Sequence, residues 1–205
     1  MKLITTIFLL LISTLGLSQT FNTDSIKSDI VEEFSTHLES IGIDSPLNIE
    51  CVSDAADFHA RYMAINKIAG HTQSLNDIGD TIIVDFTDRG YFYCDTSYNT
   101  TAEIAGFDFF KDSNDFLING PNRILNNFLE SPDHKLILEE YHTYYGIGLS
   151  ITVNDETGEI TAYYVINYGE KVKLGNSRYP ADFSINKDAE SKYRGQFDVD
   201  RIIIR

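Results

Sequence analysis

Apolar residues near the start of the chain recur every three or four positions, at Ile26, Ile30, Phe34, Leu38 and Ile41. This period places them on one face of an amphipathic helix, and Gly42 supplies a stop. The segment DAADFHARYMAINKIAG has a similar period, with Ser53 as the expected N-cap and Gly70 as the expected left-handed C-cap. The pattern therefore predicts two amphipathic helices, with His71 directly after the second.

The middle of the chain has a less regular pattern. TIIVDF, residues 81–86, predicts a short strand, whereas CDTSYNTTAEIAG and KDSNDFLINGP are rich in turn-forming residues and predict mostly loop. Pro121 is expected to open a third helix, which Pro132 prevents from continuing. Ser131 and Pro132 then predict the N-cap and first position of a new helical turn. His134 would be its third residue, where the positive end of the helix favours a neutral imidazole.

The clearest hairpin lies near residue 150. Two runs rich in strand-forming residues, 146–153 and 160–168, flank the turn NDETGE and predict an antiparallel pair. Helices precede this hairpin instead of alternating with strands. The element order therefore predicts an α+β fold in which helices pack on an antiparallel sheet.

Composition and charge restrict the partners. The 205 residues include 16 Lys and Arg against 31 Asp and Glu, which gives a formal net charge of −15. Such a surface repels phosphate backbones and anionic head groups, so nucleic acid is not an expected partner. The 12 Tyr and 13 Phe are typical of a folded chain, and the length suits one domain with a sizeable core.

The first residues resemble an export signal. Lys2 precedes an apolar run from Leu3 to Ile12, and small residues follow at Gly16 and Ser18, which predicts a signal peptide over residues 1–18. The alternative is a membrane anchor, although the run is short for a span of about 20 residues. We therefore expect a secreted, extracellular or periplasmic protein with no transmembrane anchor.

Cys51 and Cys94 are the only cysteines. In an exported chain they are candidates for a disulfide, which would stabilise the fold by about 4 kcal/mol on the chain-entropy model. Two separate buried thiols are the alternative that the sequence leaves open.

No standard catalytic motif is present, so the five histidines carry the candidate chemistry. His37 and His59 lie in amphipathic helices among charged neighbours, where we expect them to be solvated or half-packed. His142 has no particular signal. His71 and His134 lie at helix ends, where a side chain can converge with loop residues.

Several segments together indicate a known family. EEFSTHLESIGIDSPLNIECVSDAADFHARYMAINKIAGH is followed in order by DRGYFY, AEIAG, FLESPDHKLIL and YYGIGLSITV…AYYVINYG. This series resembles the CAP superfamily of cysteine-rich secretory, antigen 5 and pathogenesis-related proteins, also called SCP-like, and its short bacterial branch in particular. The chain then divides into a signal peptide (1–18), a lead-in (19–27), an SCP-like domain (28–169) and a C-terminal extension (170–205).

The resemblance implies a three-layer α-β-α sandwich with a central antiparallel sheet and a polar cleft. It places cleft residues at His71, at Glu103 of AEIAG and at His134 of SPDH, with Ser131 near the position of a further acidic residue. His71, Glu103 and His134 would be the ligands of a divalent metal such as Zn, Mg or Ca, if one binds.

Three functions follow as hypotheses. The first is a secreted binding module whose cleft takes a small, lipid-like ligand or a metal ion, or contacts a cell-envelope or extracellular component. The alternative is a metal-dependent extracellular hydrolase that uses the His71, Glu103 and His134 cluster. In the third, the two histidines only close helix ends.

Overall fold

The computed structural model describes residues 21–73, 85–94 and 98–171. Its helices are α1 (Thr23–Ser40), α2 (Glu50–Asn66), α3 (Phe86–Cys94), α4 (Ser113–Glu130) and α5 (Pro132–Leu138). Its strands are β1 (Leu47–Asn48), β2 (Tyr98–Phe110), β3 (Tyr144–Val153) and β4 (Ile160–Lys171). The predicted signal peptide, most of the C-terminal extension and most of the strand predicted at 81–86 lie outside the described residues.

The four strands form one sheet in the order β1-β3-β4-β2. The predicted hairpin is confirmed, because β3 and β4 pair antiparallel from Tyr144 opposite Gly169 to Val153 opposite Ile160. β4 also pairs antiparallel with β2. The sheet is nevertheless mixed, since the two residues of β1 pair parallel with the start of β3. The predicted antiparallel sheet is therefore confirmed for β2, β3 and β4, and a two-residue segment before α2 adds a parallel pair at one edge.

Helices cover both faces of the sheet. Alternate residues of β4 face opposite sides, because side-chain direction in a strand has a period of two. Ile160, Ala162, Tyr164, Ile166 and Tyr168 join a core with α1 and α4. Tyr163 and Val165 pack instead with Ala56, Ala60 and Met63 of α2. The predicted α+β class and its α-β-α layers are confirmed.

The first predicted helix is confirmed as α1, although Ile41 of the predicted stripe follows the helix as its C-cap and is exposed. Ile26, Ile30, Phe34 and Leu38, which the spacing places on one face, are all buried in α1. Phe34 meets the ring of Phe128 from α4 at 6.0 Å between centroids. The apolar stripe therefore predicts both the helix and the face on which it is buried.

The limits predicted for α2 are wrong at both ends. The helix begins at Glu50, with Ile49 as an N-cap that makes no side-chain hydrogen bond. Ser53 does not cap it, because its hydroxyl donates to Asn48 Oδ1 and accepts from the backbone N–H of Ile147. At the other end Lys67, with φ 53°, takes the left-handed position expected for Gly70.

The loops predicted on either side of residue 110 are also wrong. Residues 98–106 of the first belong to β2, a 13-residue strand. The second begins α4, because the Asp112 side chain accepts from the backbone N–H of Asp115 as an N-cap. The helix then continues through Pro121, which does not open it. Its buried face, with Phe116, Ile124 and Phe128, provides tertiary packing that outweighs the proline.

Two glycines allow α2 to lie close to β3. A Cβ on Gly146 would stand 2.2 Å from the backbone nitrogen of Ser53, and one on Gly148 would stand 2.1 Å from the carbonyl carbon of Ala56. Both contacts are with helix backbone, which cannot turn aside as a side chain can. The glycine spacing in GIG is thus explained by packing.

We expect Gly148→Ala to lower the free energy of unfolding by about 1–3 kcal/mol or more, because the added methyl group must displace α2 from the sheet. Urea unfolding of the variant and the parent protein measures this. Ser150→Ala, on the same face of β3, adds no atom and serves as the control. A Gly148→Ala protein within about 0.5 kcal/mol of the parent would contradict the close packing.

Side chains of α2 also bond to the outer edge of β3. Ser53 Oγ accepts from the Ile147 amide at 3.3 Å, and Asp57 Oδ1 accepts from the Leu149 amide at 2.9 Å. Asp57 is held in turn by Lys27 of α1 at 2.9 Å.

No helix in the described part of the chain is long and apolar enough to cross a bilayer.

Candidate functional site

Glu103 is the centre of the candidate site. It lies on β2 opposite Asn167 of β4, and its side chain is fully buried. Both carboxylate oxygens have partners. Oε2 accepts from Arg89 Nη2 at 2.5 Å, and Oε1 lies 3.1 Å from His71 Nδ1. A buried carboxylate needs such partners, because an isolated ion is costly to remove from water.

Arg89 holds this carboxylate from α3. Its side chain is also fully buried. Besides Glu103, the guanidinium donates from Nη1 to Gln73 Oε1 at 3.1 Å and from Nη2 to the His71 carbonyl at 3.2 Å. One cation therefore binds both the carboxylate and the segment that carries His71.

The sequence did not predict a role for Arg89. DRGYFY contributed to the family resemblance, but an arginine beside an acidic residue normally indicates a solvated surface. Only the position of α3 against β2 reveals that this side chain is buried.

His71 and His134 lie next to each other at the outer side of Glu103. The His71 side chain is 45% exposed although its Nδ1 contacts the buried carboxylate. The centroids of the two imidazole rings are 6.4 Å apart. His134 also meets the ring of Phe128 edge-on at 5.3 Å. Three segments far apart in sequence therefore bring His71, Glu103 and His134 together.

His134 is the third residue of α5, as predicted, with Ser131 as N-cap and Pro132 as the first residue. Burial lowers the pKa of its imidazole, and the neighbouring His71 lowers it further, while Asp133 opposes the shift. The structure therefore favours the neutral imidazole of His134, as predicted, but the main cause is burial and not the positive end of the helix. A neutral imidazole can accept a hydrogen bond or bind a metal ion.

His59 is a member of the site that the sequence analysis missed. We expected it to be solvated or half-packed, but it is fully buried. Its Nε2 donates to the Gly70 carbonyl at 2.7 Å and lies 3.8 Å from Glu103 Oε1. A signal was present, because His59 continues the buried stripe of Val52, Ala56 and Met63 at helical spacing.

Burial lowers the pKa of His59 to about 4, and the nearby Arg89 charge acts in the same direction. Its Nδ1 is buried without a hydrogen-bond partner. A second proton, on Nδ1, would therefore be buried without an acceptor. His59 is thus a neutral structural support beneath the loop that leads to His71.

We expect the protein to lose stability on acidification because of His59. Between pH 6.5 and 4 the unfolded chain binds this proton and the folded chain does not, so stability falls as pH falls through that window. The full loss is about 3 kcal/mol. Urea unfolding in chelator at several pH values measures it. In His59→Gln the free energy of unfolding should change less between pH 6.5 and 4 than in the parent protein. An unchanged pH dependence in that variant would refute the assignment of this loss to His59.

Ser131 and the remaining histidines lie outside this group. The Ser131 hydroxyl makes no capping hydrogen bond. His37 lies 3.1 Å from Glu139, and His142 donates from Nε2 to the Ile137 carbonyl and stacks on Tyr168. Within the ranges that the structure covers, no group of three or more His, Cys, Asp or Glu side chains is arranged to hold a metal ion.

Cys51 and Cys94 are joined in a disulfide, with their Cα atoms 5.2 Å apart. The bond links the first turn of α2 to the end of α3, and so ties the helix of His59 to the helix of Arg89. The alternative of two separate buried thiols is therefore wrong.

The chain resembles known proteins in structure. No protein-family model and no curated protein sequence matches the chain. Its structure is similar to an outer surface protein from Borrelia burgdorferi, with a TM-score of 0.56 and 18% identity over 75% of this chain and 98% of that one. A weaker similarity, with a TM-score of 0.43 and 17% identity, covers 70% of this chain and 40% of an extracellular SCP-domain protein from Bacillus anthracis. The match to the Borrelia protein shows that the two chains share a fold, and the α-β-α layers described above are those that the resemblance to the CAP superfamily implies.

Proposed function

We propose that this chain is an exported binding module whose cleft, formed by His71 and His134 in front of Glu103, takes a small polar ligand or a divalent metal ion without turnover. The observation that carries the proposal is a half-exposed imidazole backed by a buried carboxylate, with a second imidazole beside it. The disulfide is consistent with export, since such bonds persist in oxidising compartments. The Borrelia protein is described as an outer surface protein, which favours the same location.

The geometry favours binding over hydrolysis. A general base must be free to take a proton from water, but both oxygens of Glu103 are already engaged by Arg89 and His71. The Glu103 side chain is also fully buried, so it cannot bind a metal ion at the surface of the cleft directly. The residues that fit a metal ion are His71 and His134, with Glu103 behind His71 as a supporting carboxylate.

A lipid-like ligand fits this cleft less well. An apolar hollow lies between α1 and the sheet, and its lining includes Phe34, Leu38, Ile147, Ile166 and Tyr168. Neither His71 nor His134 lines it. A hydrocarbon chain bound there would therefore lie against residues other than the two imidazoles.

Calorimetric titration of chelator-treated protein with Zn²⁺ at pH 7.5 tests the metal arm of the proposal. We expect binding in the parent protein, at least about tenfold weaker binding in His71→Ala and in His134→Ala, and unchanged binding in His37→Ala. His37 is a matched control, because it is also partly buried beside a glutamate but lies outside the cleft. Acid should weaken binding, since protonated imidazoles cannot bind metal.

A screen of small polar ligands by thermal shift, with the same variants, tests the other arm. Failure of both arms would refute the proposed binding function. Robust hydrolysis of peptides, esters or nucleic acids that is lost in His134→Ala would instead support the second candidate, a metal-dependent hydrolase. The lowered pKa of His134 favours that candidate, because a neutral imidazole can accept a proton near neutral pH.

A further inference from the structure

We propose that Arg89 is a positioning residue that holds His71 in the Nδ1–H tautomer and thereby makes Nε2 of His71 the exposed acceptor of the cleft. This inference rests on the proposed function only in that Nε2 is the atom that would meet a ligand. Arg89 itself is fully buried and cannot contact anything bound outside.

Glu103 pairs with a buried cation. Its Oε2 accepts from the guanidinium of Arg89, which is always a cation in proteins. The pair is fully buried, so water does not screen their attraction. Oε1, the oxygen that faces His71, is therefore an acceptor on a carboxylate paired with a guanidinium.

The His71 imidazole contacts this carboxylate through one nitrogen. Its Nδ1 lies 3.1 Å from Glu103 Oε1, so Nδ1 must be the donor in this contact. In a neutral imidazole only one nitrogen carries a proton, which leaves Nε2 as an acceptor. The half-exposed side chain then presents a lone pair instead of an N–H group.

The same guanidinium holds the backbone at His71. Arg89 also donates to the carbonyl of His71 and to the side chain of Gln73, and these contacts hold the segment at two places. The planar guanidinium can serve all three acceptors at once, which a lysine ammonium on a flexible chain does less well. Arg89 thus fixes both the position of His71 and its proton.

The histidines of this chain provide an internal reference for a test. His59 and His142 each contact a backbone carbonyl through Nε2, so both must carry their proton on Nε2. His71 is expected to have the opposite tautomer. Long-range ¹⁵N–¹H correlation spectra of ¹⁵N-histidine protein distinguish the two forms. They are recorded in chelator at pH 8.5, where an ordinary imidazole with a pKa of about 6.5 is neutral.

We expect His71 to show the Nδ1–H form in at least about tenfold excess, because a hydrogen bond to a charged group is strong. Arg89→Lys should raise the Nε2–H population of His71 severalfold, and Gln73→Met should raise it less. The spectra of His59 and His142 should not change. A merely structural role of Arg89 would alter stability without moving the His71 tautomer.

The proposal is overturned if His71 of the parent protein carries its proton on Nε2 or carries two protons. It is also overturned if His71 keeps the Nδ1–H form unchanged in every folded variant. If Arg89→Lys does not fold, Gln73→Met and the parent spectrum decide. Since these spectra are recorded without metal or ligand, this failure is distinct from failure of the binding experiments.

Discussion

Arg89→Met is expected to lower the free energy of unfolding by about 3–5 kcal/mol, because it leaves the Glu103 carboxylate buried without its cation. A loss of this size is a large fraction of the 5–15 kcal/mol that is typical of a domain. Urea unfolding at pH 7 with the disulfide intact measures it. Arg123→Met is the matched control, because Arg123 pairs with Asp108 and Asp115 at a partly exposed site and should cost about 1 kcal/mol or less.

The double variant Arg89→Met/Glu103→Leu separates the cost of an unpaired charge from the value of the pair. Replacing a buried ion pair by apolar side chains is often nearly neutral. We therefore expect the double variant to recover at least about 2 kcal/mol relative to Arg89→Met. If Arg89→Met costs no more than Arg123→Met, or if removing Glu103 adds to the loss, the description of a buried pair is wrong.

Removing the disulfide should have an effect of similar size. Cys51 and Cys94 are separated by 43 positions, and for a loop of that length the chain-entropy model gives about 4 kcal/mol. We expect Cys51→Ala/Cys94→Ala to lose about this amount in urea unfolding. Reductant should lower the stability of the parent protein by a similar amount and leave the double variant unchanged. A loss below about 1 kcal/mol would show that the bond constrains little of the unfolded chain.

Disulfide loss also tests the link between the fold and the cleft. The bond joins α2 and α3, which carry His59 and Arg89. If it helps to hold these helices together around Glu103, the folded Cys51→Ala/Cys94→Ala variant, which has no thiol to bind the metal, should bind Zn²⁺ more weakly than the parent protein.

Much of the fold could be predicted because the relevant signals are local. The stripe of α1 and the paired runs of β3 and β4 follow the periods of a helix and of a strand. The sequence does not predict β2, because Asn99 and Gly106 are residue types depleted in strands, while the pairing of β2 with β4 is a long-range contact. Asp112 lies in a segment that predicts a loop, although the same residue type also begins helices.

The candidate site was predictable only in part. The resemblance placed His71, Glu103 and His134, and the structure brings these three together. It did not indicate that Arg89 and His59 complete the buried half of the group. Both depend on which face of a helix meets the sheet. Buried charge in particular cannot be read from one chain position, because arginine is far more often solvated.

The hydrogen bonds from Ser53 and Asp57 to the amides of Ile147 and Leu149 have a further consequence. An open strand edge can recruit a strand of another molecule and so begin aggregation. Here two of the amides that such a strand would need are already occupied by side chains from the same molecule. The two side chains therefore make this part of β3 a poorer template for a strand of another molecule.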